Sequence, residues 1–265
     1  MSFLIDKGNS TKKHWDDFWS KEYPKVAHLV PEYQWKLVES VLKLLDVQDK
    51  NLLEVGCGSA GNSAFFASQG AHVFVLDFSR QALQLAGRQA ASKAARLFFI
   101  EGTASNLPFR DNSLDCIYHS GFLEHFHDPA SILREQIRIL KPGGFLLVDV
   151  PQKYTIYTLK KQCAMRRGRW YAGWETQFSP RELEDLIRGI GLEVVDMYPR
   201  GMALSYGWFA RKLFHGCRKL VTGSAAGPDP GSAAACAAAA PARRGAWGRI
   251  PLYFTDCIGI IGRKR

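Results

Sequence analysis

The chain has 265 residues, 46% of them hydrophobic and 23% charged, enough for one large α/β domain with an appended cap and close to the soluble globular average. That composition excludes a collagen-like repeat and a disulfide scaffold, and no apolar run approaches the roughly 18 to 20 residues of a membrane span. The net charge of +10 is lopsided: residues 1–150 hold 16 Lys/Arg against 17 Asp/Glu, and residues 151–265 hold 19 against 8. The basic C-terminal part is either a solvated face or a surface that attracts an anionic substrate, a nucleic acid or a membrane.

The opening Met1-Ser2-Phe3-Leu4-Ile5-Asp6-Lys7 turns polar too early for a secretory signal, so a cytoplasmic location is expected. The six cysteines, at 57, 116, 163, 217, 236 and 257, form no C-x-x-C pair and have no histidines at zinc spacing. They read as reduced thiols, and no metal is expected.

In chain order, Lys12–Lys21 and Pro31–Leu45 have the periodicity of amphipathic helices. Residues 1–48 are therefore expected to form a helical cap over the sheet edge or a cofactor mouth, ahead of one α/β domain over residues 49–265. From residue 50 to 150, short apolar runs alternate with helical ones, which signals βαβ units and a parallel sheet. The expected strands are Asn51–Val55, His72–Leu76, Leu97–Glu101, Leu114–His119 and Phe145–Val150. Between them fall helices over Gly61–Gln69, Ser79–Ala95 and Pro129–Ile139, the last stopped by Lys141-Pro142-Gly143-Gly144.

Beyond residue 150, Tyr154–Arg169 is basic and helical in pattern, within a substrate-side insert over about residues 153–178. Ser179-Pro180-Arg181-Glu182 carries a capping-box signature for a helix that runs to Ile190. Strands are expected over Leu192–Tyr198 and Leu252–Gly262. Gly207–Val221 reads as a basic amphipathic helix suited either to packing or to a membrane interface. Residues 223–245, rich in Ala, Gly, Pro and Ser, read as a mobile loop.

Gly56, Gly58 and Gly61 fit G-x-G-x-x-G between a strand and a helix, a spacing shared with dinucleotide binders. Two acids refine it. Glu54, two residues before Gly56, would repel a pyrophosphate on the helix N-terminus and suits a cationic ligand better. Asp77, closing Val73-Phe74-Val75-Leu76-Asp77, is placed to accept hydrogen bonds from ribose hydroxyls.

The stretches Leu52-Leu53-Glu54-Val55-Gly56-Cys57-Gly58, Leu76-Asp77-Phe78-Ser79 and Ala104-Ser105-Asn106-Leu107-Pro108-Phe109 are followed by Ser113-Leu114-Asp115-Cys116-Ile117, Leu123-Glu124-His125 and Arg138-Ile139-Leu140-Lys141-Pro142-Gly143-Gly144. In that order they resemble class I S-adenosylmethionine-dependent methyltransferases of the type 11 group. The resemblance implies a Rossmann-like α/β fold, a seven-stranded mostly parallel sheet flanked by helices, with S-adenosyl-L-methionine at the carboxyl ends of strands one, two and four. It implies that Glu54, Gly56, Cys57 and Gly58 surround the methionine end of the cofactor and that Asp77 binds the ribose. Phe78, Thr103 and Ala104 would lie by the adenine, and Ser120 and Gly121 by the sulfonium. Many relatives have an aspartate where this chain has Thr103, whose hydroxyl can accept the same bond.

His119, His125 and His127 cluster after the fourth strand. His125 matches a family wall histidine and is the candidate general base, with packing as the alternative role. Trp15, Trp19 and Tyr23, together with Trp170, Tyr171 and Trp174 in the insert beyond Lys160, are expected to line the acceptor side or to pack as a lid. Arg166, Arg167 and Arg169 suggest a phosphate or carboxylate on the acceptor, or else a solvated face. The expected partner is a small-molecule, glycan-intermediate or lipid-linked acceptor, with peripheral membrane contact an option. The competing function is nucleic-acid binding, or RNA methylation, through the basic C-terminal part.

Overall fold

A computed structural model describes residues 11–26, 34–168, 170, 172, 174–200 and 255–265. The N-terminal run opens with α1 (Lys12–Asp17), capped by Thr11, whose hydroxyl accepts from the His14 N–H at 3.2 Å. It continues through a π-helical turn, Phe18–Glu22, into α2 (Tyr23–Val26). The helical run therefore reaches Val26 rather than Lys21, because the Tyr23 N–H donates five residues back to the Phe18 carbonyl. Helix α3 (Trp35–Leu44) buries Leu37, Val38 and Val41, one stripe at helical spacing.

Seven strands form one sheet: β1 (Asn51–Val55), β2 (His72–Asp77), β3 (Leu97–Glu101), β4 (Leu114–Ser120), β5 (Leu140–Pro151), β6 (Glu193–Arg200) and β7 (Cys257–Arg263). Their spatial order is β3-β2-β1-β4-β5-β7-β6. Strands β1 to β5 are parallel, while β7 is antiparallel to both β5 and β6. Strand order reverses direction between β1 and β4, the switch point at which open α/β sheets bind ligands.

Adjacent residues of the central strands serve opposite faces. Leu53, Ile117 and Leu146 pack with Ile132 and Leu133 of α6 (Pro129–Ile139) and with Leu183 and Ile187 of α8 (Pro180–Gly189). Leu52, Cys116 and Leu147 pack instead with Leu37, Val38 and Val41 of α3, Phe66 of α4 (Gly61–Ser68) and Ala86 and Ala90 of α5 (Arg80–Ser92). Burial on both faces accounts for the near-continuous apolar character of β1 and β4.

Local capping matches the sequence signals. Ser79 caps α5 by accepting from the Ala82 N–H at 3.3 Å. Asp128 caps α6 by accepting from the Ser131 N–H at 3.1 Å, with Pro129 in the first turn. Ser179 and Glu182 form the complete capping box of α8.

Strand five differs from its expected bounds. It starts at Leu140, so the Lys141-Pro142-Gly143-Gly144 stop belongs to the sheet. Its backbone is tied from outside: the Gly143 N–H donates to the Lys264 carbonyl at 2.8 Å, and the Lys264 N–H donates to the Gly144 carbonyl at 3.0 Å. Strand β6 runs on to Arg200, and the last strand begins at Cys257, with residues 251–254 outside the described set. In the insert, α7 spans Ile156–Arg166. The amphipathic segment Gly207–Val221 and the low-complexity stretch 223–245 also lie outside the described residues. Among the described residues, no helix is long and apolar enough to cross a membrane.

Candidate active site

The carboxyl ends of β1, β2 and β4 open into a cavity of about 1140 Å³. The turn after β1 wraps the end of β2, because the N–H groups of Gly56 and Cys57 both donate to the Leu76 carbonyl, at 2.8 and 3.1 Å. One residue later, the Gly58 N–H donates to Oδ2 of Asp77 at 3.1 Å, while Oδ1 accepts from the Ser79 N–H at 2.9 Å. Asp77 thus fixes the glycine turn and the start of α5 with one carboxylate.

Glu54, at the end of β1, is held in the same manner by side chains of α4. Its carboxylate accepts from Asn62 Nδ2 at 3.3 Å and from Ser63 Oγ at 2.5 Å, and Ser63 Oγ also lies 2.8 Å from the Tyr118 hydroxyl. Both acids are only 5% exposed. Burial raises the Glu54 carboxyl to about 7 and the Asp77 carboxyl to about 6, against the opposing pull of their hydrogen bonds. Two desolvated carboxyls on one cavity wall fit a ligand that brings positive charge and hydroxyl donors. They do not fit a pyrophosphate.

The N-terminal segment closes over this mouth. Ser79 Oγ donates to Asp16 Oδ1 at 2.6 Å, and Lys12 pairs with Glu101 at the end of β3. Trp15, Phe18, Trp19 and Tyr23 line the cavity, with Trp19 against Gly58 and Trp15 edge-on to His125 at 5.0 Å between ring centroids. Sequence reasoning named the three N-terminal aromatics and missed Phe18 and Asp16. Helical spacing from Trp15 to Phe18 and Trp19 was the available signal.

All ten residues expected at the cofactor line the cavity: Glu54, Gly56, Cys57, Gly58, Asp77, Phe78, Thr103, Ala104, Ser120 and Gly121. His125 lines it too, and burial holds its imidazole below the ordinary pKa. The other histidines stand apart. His119 is fully buried beside Phe122, its pKa lowered to about 3 by desolvation, and His127 stacks on Trp174 at 4.0 Å.

The far end of the cavity is built from elements distant in sequence. Gly121, Phe122, Glu124 and Phe126 come from the loop after β4, Tyr157, Ala172 and Glu175 from the insert, and Arg200, Asp256 and Cys257 from the ends of β6 and β7. Arg200 Nε donates to Oδ2 of the fully buried Asp149 at 2.7 Å. Glu175 accepts from Lys161 Nζ at 2.5 Å and from Trp170 Nε1 at 2.7 Å, so Trp170 supports the wall rather than forming it. Arg166 and Arg167 are exposed and off the cavity wall, while Arg169 and Tyr171 lie outside the described residues. Sequence reasoning missed Arg200, Asp149, Glu124 and Glu175 as site residues, since only the sheet order brings them together.

Residues 53–148 match the family described as a methyltransferase domain, type 11. They belong to that family. The methyltransferase domain is 32% identical over 150 residues to a ubiquinone biosynthesis O-methyltransferase of Ruegeria pomeroyi, covering 55% of this chain and 60% of the relative. It is 33% identical over 114 residues to a demethylmenaquinone methyltransferase of Clavibacter sepedonicus, covering 43% and 46%. The chain therefore spans about half the length of the curated relatives it matches. Among solved structures, an S-adenosylmethionine-dependent methyltransferase of Thermotoga maritima superposes with a TM-score of 0.59 at 18% identity, covering 96% of this chain and all of the other. The magnesium protoporphyrin IX methyltransferase of Synechocystis, with S-adenosylhomocysteine bound, gives 0.57 at 13% identity, covering 99% and 98%. The fold surrounding the methyltransferase domain is thus the Rossmann-like fold of these enzymes.

Proposed function

We propose that the chain is an S-adenosylmethionine-dependent methyltransferase acting on a small-molecule acceptor. One observation carries the reading: two desolvated carboxyls, Glu54 and Asp77, flank a glycine turn inside one cavity at the switch point of the sheet. Asp77 accepts from the ribose hydroxyls, and Glu54, Gly56, Cys57 and Gly58 enclose the methionine end. Phe78, Thr103 and Ala104 border the adenine, and Ser120 and Gly121 border the sulfonium. The methylated sulfonium supplies both the methyl group and a leaving group that needs no acid.

The protein's share of the chemistry is mainly positioning. Residues 1–48 act as a cap: Trp15, Phe18, Trp19 and Tyr23 exclude water from the cavity mouth, and Asp16 anchors them to Ser79. Residues 49–265 supply the methyltransferase domain, with the insert at about 153–178 forming part of the acceptor wall through Tyr157, Ala172 and Glu175. His125 stands on the same wall as a neutral imidazole. The acceptor is a ring compound of the quinone-precursor kind, in keeping with the relatives' names.

Titration calorimetry with S-adenosylmethionine, S-adenosylhomocysteine and NAD tests the cofactor. Micromolar binding of both adenosyl compounds is expected. Binding of NAD with neither of them would exclude the reading.

A further inference from the structure

Methylation of an oxygen or a protonated nitrogen must dispose of a proton, and the cavity holds a buried acid, Glu124, with no assigned use. Glu124 lies in the 3-10 turn Leu123–His125, which follows β4. It is 2% exposed, lines the cavity, and its Oε2 has no hydrogen-bond partner. Its Oε1 would be 3.7 Å from a Cβ placed on Gly121, so the carboxyl sits beside the residue that borders the sulfonium. The backbone there is pinned, with the Glu124 carbonyl accepting from the Thr176 N–H at 2.8 Å and the Phe122 carbonyl from the His125 N–H at 3.2 Å. Buried polar atoms are almost always bonded, and an orphaned carboxyl oxygen at a cavity wall points to a partner supplied by a ligand.

The charged groups around Glu124 are already matched. Glu175 has Lys161 from the insert, and Asp149 of β5 has Arg200 of β6. His125 next to it is held neutral by burial, with its ring edge-on to Trp15. The thiol of Cys257, which shares the field of Glu124 and Arg200, is pushed up to about 12 by burial and stays protonated. Among the described residues Glu124 forms no ion pair, and Asp256, at the same end, lies in the field of Arg200; burial followed by the charge of Glu175 raises the Glu124 carboxyl to about 8. Among the described residues, the cavity wall carries Glu22, Glu54, Asp77, Glu124, Glu175 and Asp256 and one cation, Arg200. An uncharged ring there meets Phe122, Phe126 and Tyr157, and a carboxylate or phosphate beside Glu124 would oppose the ionised form of that acid.

We propose that Glu124 is a catalytic residue whose carboxylate takes the proton from a hydroxyl on an uncharged aromatic acceptor as that oxygen receives the methyl group. This rests on the methyltransferase reading. The acceptor O–H bond breaks toward Glu124 and the oxygen forms the new bond to the methyl carbon. The carbon–sulfur bond breaks with its electron pair going to sulfur, which becomes a neutral thioether. Protonated Glu124 then returns its proton to water.

The test supplies the chain with labelled methyl donor and a panel of uncharged phenols and catechols, beside matched aromatic amines and benzoates, from pH 6 to 9.5. Label on phenol oxygen is expected, with kcat rising through about pH 8 to a plateau. Glu124→Gln should lower kcat by about 10²- to 10⁴-fold and abolish that rise, with S-adenosylmethionine affinity within about twofold of the parent. His125→Gln should retain the rise. A second readout needs no turnover: with carboxyl-¹³C glutamate, one resonance titrating near pH 8 should vanish in Glu124→Gln. Transfer to amines or benzoates alone overturns the proposal, as does a Glu124→Gln rate within about threefold of the parent. A Glu124 carboxyl already ionised at pH 6 does so too. If the parent chain fails to bind S-adenosylmethionine, it is the methyltransferase reading that falls.

Discussion

A Cβ placed on Gly58 would lie 2.5 Å from Cη2 of Trp19, so an indole from the N-terminal cap rests directly on the backbone of the glycine turn. Gly58 also has φ +51°, in the left-handed region that costs other residues about 1–2 kcal/mol. Gly58→Ala should therefore displace the cap and weaken S-adenosylmethionine binding at least about tenfold, a loss of about 1.4 kcal/mol. Adding Trp19→Ala should restore part of that loss by removing the clash. Calorimetry on the two variants measures both steps, and an unchanged affinity in Gly58→Ala would show that the turn is not the cofactor's cradle.

Asp77 has two tasks, since its carboxylate organises the Gly58 and Ser79 N–H groups and is proposed to accept from the ribose. Hydrogen bonds to a charged group contribute about 1.5–3 kcal/mol each. Asp77→Ala is expected to weaken cofactor binding by about ten- to a hundredfold and to lower the melting temperature. Parent-like affinity by calorimetry contradicts the ribose assignment.

The raised carboxyls give the ligand-free protein an unusual pH dependence. The folded-state values, about 7 for Glu54 and about 6 for Asp77, lie above the ordinary 4.5 and 3.8. Between the ordinary and folded values the unfolded chain binds fewer protons, so stability falls as pH rises. Stability is fully present below about pH 4 and is lost progressively up to about pH 7. Surface acids such as Glu39, held below the ordinary range by hydrogen bonds from Lys43 and Lys36, act at lower pH. Glu124, raised to about 8, extends the loss, whereas the buried His119 and His125, both lowered from the ordinary 6.5, add stability as pH rises toward that value and offset part of it. Denaturant midpoints should drop from pH 5 to pH 8, and the drop should shrink in Glu54→Gln. A pH dependence left unchanged in Glu54→Gln contradicts the burial of that acid.

Lys161 and Glu175 form an ion pair with side chains 0% and 5% exposed. Removing one partner strands a buried charge, a defect worth about 3–5 kcal/mol. Lys161→Met alone should destabilise by that amount, while Lys161→Met with Glu175→Leu should recover most of it. Urea titration of the single and double variants reads the difference, and additive losses would contradict a tightly coupled pair.

The parts of the fold legible in the sequence are those governed by neighbouring residues. Asn51–Val55, Leu97–Glu101 and Pro129–Ile139 have their expected bounds, since apolar runs and the Asp128-Pro129 cap specify them locally. Strand β5 does not, because Pro142-Gly143-Gly144 reads as a stop until the remote Lys264 backbone pairs with it. That Glu54, Asp77 and Gly121 share one cavity was legible for a similar reason, as their motifs sit at the ends of β1, β2 and β4. The acceptor wall was not. Arg166 and Arg167 stand out by density of charge, whereas Arg200, the one cation on the wall among the described residues, comes from a strand end that only tertiary pairing brings to the cavity.

Strand β7 enters the sheet between β5 and β6, with Arg200 and Cys257 as register partners at one end. β7 is thus the strand through which β6 joins the sheet. At Gly259 the Tyr198 ring packs too closely for any Cβ. Any side chain at Gly259 would push Tyr198 off β7 and loosen the pairing that ties the edge strand β6 to the rest, so this one hydrogen-sized gap sets how closely the last two strands can approach.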